Sequence, residues 1–147
     1  MRPTETLVIL ADDRGARFLL NRGIGKGLSE LKEISAEEAG IDVEYADDRG
    51  RSRAAPGMAQ HAVGSRNAEE IQERELFARR VAETAQDLWR RGSYDRLVLA
   101  APPKMLGLLR ERLGSELMAN LVVDLSKDLL KVPVPDLPRH FEDHIVF

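Results

Sequence analysis

Residues 95–114 read DRLVLAAPPKMLGLLRERLG. Leu97 to Ala101 is an unbroken apolar run, the pattern of a strand covered on both faces. Pro102-Pro103 ends it, because neither proline can donate to a sheet ladder and a proline fits the first turn of a helix. Met105, Leu106, Leu109 and Leu113 then recur at helical spacing, and Gly114 is a natural stop. Asn120 to Leu125, NLVVDL, is a second short apolar run. Strand, helix and strand form a βαβ unit, which implies two parallel strands joined by a right-handed crossover.

Toward the N-terminus, Thr6 to Ala11 (TLVILA) is another continuous apolar run and reads as a central strand. Asp12-Asp13-Arg14-Gly15 is turn chemistry, since Asp side chains bond nearby backbone N–H groups. The alternation of Ala16, Phe18 and Leu20 with their neighbours predicts a hairpin into an antiparallel strand. Gly23, Gly25 and Gly27 mark the next turn. Leu28, Leu31 and Ile34 are three apart, which suits a helix, but the hairpin and glycines before them favour a third strand with a bulge. Ser35 to Glu38 can begin one helical turn.

Asn67 and Glu70 have capping-box spacing, which predicts a long helix from Asn67 to Gly92. Its buried stripe is read as Ile71, Ala78, Val81, Ala85 and Leu88, through Trp89. After the βαβ unit, Ser126 to Leu130 reads as a short helical turn. Asp136 is placed to cap a last helix with Leu137, Phe141 and Ile145 on one face. The expected fold is α/β and three-layered, a mixed sheet with helices on its faces.

The chain has 147 residues, 43% hydrophobic and 32% charged, which suits one domain with a real core. Its net charge of -3 gives no whole-molecule basic field for duplex nucleic acid. The lack of cysteine excludes a disulfide scaffold, thiol catalysis and Cys-ligated zinc. No apolar run approaches the roughly 20 residues that span a bilayer, and MRPTETLVIL lacks the pattern of an export signal, so the expected compartment is cytoplasmic.

The main irregular segment is 47–66. It carries Arg49, Arg51, Arg53 and Arg66, the turn pair Pro56-Gly57, and few large apolar groups. A loop this long within a compact domain is usually functional or disordered. Its arginines can grip phosphates or carboxylates through planar forks, with Gln60 and His61 adding hydrogen bonds. Lys104 and Arg110, near the carboxyl end of a strand, can add to that surface.

LVILADDRGARFL at 7–19, LVLAAPPKMLGLLRERL at 97–113 and VVDLSKDLLKVPVPDLPRHF at 122–141 resemble the bacterial host attachment protein family. The most specific pieces are A-P-P-x-x-L-G-x-L-R from Ala101 to Arg110 and D-L-x-K-D-L from Asp124 to Leu129. Members of that family are described as required for attachment to host cells. They are grouped with proteins similar to the middle domain of eukaryotic and archaeal peptide-chain release factors. The resemblance implies a ribonuclease-H-like fold. In release factors a Gly-Gly-Gln motif, in a loop before the long helix, reaches the peptidyl-tRNA ester. The matching loop here offers Gly57-Met58-Ala59-Gln60, without the second glycine, so peptide release is not carried over.

Two other constellations invite chemistry. Asp12 and Asp13, with Asp47, Asp48, Asp124 and Asp128, can be read as the two-metal carboxylate set of a nuclease. Turn and cap duties explain the same residues without metal, and that reading is preferred. His140 and His144 share a helix face, but H-F-E-D-H is not the H-E-x-x-H arrangement, so a solvated face is preferred. Gly23-Ile24-Gly25-Lys26-Gly27 lacks phosphate-loop spacing and reads as a turn. The sequence thus predicts a binding protein with no cofactor and no metal, contacting the ribosome or transfer RNA through the 47–66 segment. The alternatives are a protein-interaction component in host attachment and a metal-dependent nuclease.

Overall fold

The computed structural model of the chain describes residues 3–41 and 62–147. Strands β1 (Thr6–Ala11), β2 (Gly15–Asn21), β3 (Ser29–Ser35), β4 (Arg96–Ala100) and β5 (Leu121–Leu125) form one sheet in the order β3-β2-β1-β4-β5. β2 is antiparallel to β1 and β3, whereas β4 is parallel to β1 and β5. The helices are α1 (Ala62–Arg91), α2 (Pro103–Arg112), α3 (Ser115–Ala119) and α4 (Leu137–His140). The fold is α/β, a mixed sheet between two layers, as the sequence predicts.

The sequence of β1 explains why it is central. All six residues are buried, because both faces are covered. Leu7, Ile9 and Ala11 face α1 and α2, where they meet Phe77, Val81, Ala85, Met105 and Leu109. Val8 and Leu10 face the C-terminal segment, with Leu129, Leu137, Phe141 and Ile145. The period of two sends alternate side chains into separate cores.

The edges are blunted in one way. β3 carries Leu31 as an extra residue against β2, and β5 carries Val122 against β4. Both side chains point outward, 39% and 51% exposed. Bulges of this kind twist an edge and discourage further pairing.

Several expectations need correction. α1 is already helical at Ala62, so Asn67 lies inside it and caps nothing, and Arg66 belongs to the helix. Good helix formers on either side of it, Arg66 and Ala68 among them, override the local capping-box signal. Ile71 is 45% exposed and does not join the buried stripe, which instead includes Phe77 and Ala82. Ser126 to Leu130 is not helical. There the Asp128 carboxylate accepts the Leu130 N–H at 3.3 Å, an Asx turn that competes with helix. Gly114, at φ 91°, ends the α2 run but leads directly into α3, which the sequence reading did not foresee. Asp136 precedes α4 without a capping hydrogen bond from its side chain.

Candidate functional site

The parallel strands β1, β4 and β5 point their carboxyl ends at one rim, beside the N-terminal half of α1. The Asp12 turn builds that rim. Asp12 Oδ1 accepts the N–H groups of Arg14 and Gly15, both at 2.8 Å, and the Asp12 N–H donates to the Gly15 carbonyl at 2.9 Å. The hairpin is then tied to α1 by two ion pairs of opposite polarity. Arg74 Nε meets Asp13 Oδ2 at 2.9 Å, and Arg14 meets Glu73 at 3.6 Å.

Between α1 and α2 lies an open groove of about 310 Å³, lined by Ile71, Arg74, Pro103, Lys104, Gly107 and Leu108 among others. Pro102-Pro103 sets it up: with Pro103 at the first helical position, α2 starts immediately after β4. Gly107 lies mid-helix with nothing within 4 Å of where a Cβ would stand. With no side chain there, the groove stays open at that point.

The expected site residues fall as follows. Arg49, Arg51, Arg53, Gln60 and His61 lie outside the described residues, as do Asp47 and Asp48. Arg66 is exposed on α1, five residues and so about 8 Å of helix before Ile71. Lys104 is exposed on the first turn of α2. Arg110 does not join it as a free cation. Its Nε donates to Asp124 Oδ2 at 2.7 Å, with Nη2 on the same oxygen, so α2 is pinned to β5.

The carboxylates proposed for metal have other duties. Asp12 forms the turn, Asp13 pairs with Arg74, Asp124 with Arg110, and Asp128 holds the Leu130 N–H. Among the described residues, no group of three or more His, Asp or Glu side chains is placed to hold a metal ion. His140 ends α4 and His144 lies in the turn after it, both exposed. No helix among the described residues is long and apolar enough to cross a membrane.

The opposite end of the sheet holds a perturbed group. Tyr94 stacks on Trp89 with ring centroids 5.6 Å apart. Burial raises the Tyr94 pKa, the Glu5 carboxylate raises it further, and Arg22 opposes them. Local pattern does not reveal this cluster because its members come from the segment before β1, the β2–β3 turn, α1 and the α1–β4 connection.

Residues 5–141 match the family described as bacterial archaeo-eukaryotic release factor family 12. Among solved structures, the chain is similar to an archaeal translation termination factor, aRF1, at 17% identity and a TM-score of 0.46. That match covers 85% of this chain and 31% of the other. A second is the type II variant of the Aquifex aeolicus Ppx/GppA phosphatase, at 15% identity and a TM-score of 0.37, covering 83% and 35%. The chain thus spans about a third of each. No curated protein matches it. None of these comparisons concerns attachment to host cells.

Proposed function

The chain belongs to bacterial archaeo-eukaryotic release factor family 12, and on that premise we propose that it is a binding protein of the translation apparatus, contacting ribosomal or transfer RNA. The contact is made by Arg49, Arg51, Arg53, Gln60 and His61, continued by Arg66 on α1, with Lys104 on the first turn of α2. Guanidinium forks suit phosphate oxygens, and such contacts hold an RNA in register without reading its sequence.

The observation that carries this reading is one of position. The arginine-bearing segment leads directly into α1, and Arg66, Asn67 and Ala68 at its start are all exposed. Family membership makes RNA the natural partner. The missing Gly-Gly-Gln motif favours binding over ester hydrolysis, and turn and ion-pair duties of the carboxylates disfavour the nuclease alternative. A part in attachment to host surfaces follows only indirectly, through the proteins whose synthesis is affected.

Capture of the tagged chain from native lysate, read for both RNA and protein, tests the proposal. Enrichment of ribosomal or transfer RNA that is lost on nuclease treatment is expected. Recovery of a protein partner with no RNA would contradict it.

A further inference from the structure

The turn between β2 and β3 is built to present a tip. Asn21 is fully buried, and its side-chain amide brackets the turn from inside. Nδ2 donates to the carbonyls of Gly23 at 3.0 Å and Gly27 at 2.8 Å, while Oδ1 accepts the Gly23 N–H at 3.1 Å. The Lys26 N–H closes the turn onto the Gly23 carbonyl at 3.1 Å. Gly25 and Gly27 have φ of 82° and 67°, a region that side chains rarely adopt. The turn is therefore ordered before any partner arrives.

What it displays is an apolar group between two cations. Ile24 is 79% exposed, the most exposed large apolar side chain among the described residues. Arg22 and Lys26 flank it, both exposed, and neither is ion-paired with a described residue. Arg22 is close enough to Tyr94 to act on its phenol, and Tyr94 stacks on Trp89. Trp89 and the exposed Arg90 then line one cleft of about 230 Å³. Of the acids nearby, the exposed Glu116 lines the same cleft as Arg90, and the others are engaged elsewhere or set back. Asp87 pairs with Arg91 at 3.2 Å, Asp95 accepts the Glu5 N–H at 2.8 Å, and Glu5 is half-buried.

We propose that the Arg22–Lys26 tip is a second RNA contact, in which Arg22 and Lys26 meet backbone phosphates and Ile24 packs against a ribose or base. It rests on the RNA-binding reading above but uses different residues. Along α1, Arg66 and Trp89 are about 35 Å apart, so an RNA that meets both Arg66 and the tip must be long or folded. Paired cations suit a surface that tracks a phosphate backbone, and the neighbouring Trp89–Tyr94 stack supplies aromatic character. A pre-ordered turn loses little entropy on docking.

The test is fluorescence anisotropy with a labelled, transfer-RNA-sized folded RNA over a salt series. It compares wild type, Arg22→Ala/Lys26→Ala and Arg49→Ala/Arg51→Ala/Arg53→Ala. Losing two phosphate contacts lowers the slope of log affinity against log salt by about 2 and weakens binding at least about fivefold near 0.1 M salt. Both substituted tip residues are exposed, so the thermal midpoint of that variant should match wild type. Wild-type affinity in the tip variant, with loss in the triple variant, would overturn the tip and leave the segment reading standing. The reverse pattern would overturn the segment reading alone. Absence of wild-type binding at 50 mM salt, or tip-dependent binding to phosphatidylserine vesicles in place of RNA, would overturn the tip proposal.

Discussion

Arg17 Nη1 donates to the carbonyl of Val132 across 2.6 Å, joining residues 115 apart in sequence. The same nitrogen donates to the Leu130 carbonyl at 2.9 Å, and Nε reaches Glu30 at 2.8 Å. Arg17 is only 7% exposed. One buried guanidinium therefore holds β2, β3 and the segment that covers the second face of the sheet. Arg17→Met would strand two carbonyls and one carboxylate. Because Glu30 is partly exposed, the expected loss is about 2–4 kcal/mol, below the upper range for a broken buried pair. Urea unfolding measures it, and a loss below about 1 kcal/mol would show that the staple is dispensable.

Asp12 separates turn chemistry from metal chemistry. Asp12→Ala removes the acceptor of two N–H groups and should lower stability by about 1–2 kcal/mol. Asp12→Asn keeps Oδ1 and should fall within about 0.5 kcal/mol of wild type. Equal large losses in both, with magnesium stabilising the wild type only, would instead point to a carboxylate–metal role.

Gly107 carries no packing reason to be glycine. Gly107→Ala adds a methyl into open space within α2, so stability should rise by about 0.5–1 kcal/mol. A fall in thermal midpoint would mean that the groove floor is tighter than described.

Tyr94 can be titrated alone in a Tyr45→Phe background, since the chain has two tyrosines. Its phenol should ionise above the ordinary 10.0, chiefly because burial disfavours the anion. The stability tied to the neutral phenol is full below pH 10.0 and is lost as pH rises through that value toward the folded-state pKa. Arg22→Ala should move the midpoint further up. Absorbance at the phenolate band reads both, and a midpoint at or below the ordinary value would refute the placement of Tyr94.

Local pattern was sufficient where burial is two-sided or alternating. β1 and β4 are apolar runs because both faces are covered, and Pro102-Pro103 marks the turn into α2. Where a long-range contact or an irregularity intervenes, local pattern misleads. The three-residue spacing of Leu28, Leu31 and Ile34 arises because Leu31 is the bulged residue, and an inserted residue makes a strand mimic a helix. Leu129-Leu130 looks helical, but Arg17 takes the carbonyls of Leu130 and Val132 from far along the chain. The capping box at Asn67 is a chance match inside a helix that begins at Ala62. For the candidate site, the arginine cluster was visible as composition. The pairing of Arg110 with Asp124 was not, since charge in a sequence does not reveal which cations are already neutralised.

Sucrose-gradient co-sedimentation of the purified chain with ribosomes at low and high salt tests the RNA-binding proposal most directly. Wild type should travel with ribosomal particles at low salt and leave them at high salt, and Arg49→Ala/Arg51→Ala/Arg53→Ala should remain at the top of the gradient at either. Wild type that stays at the top at low salt, or a triple variant that sediments like wild type, would contradict it.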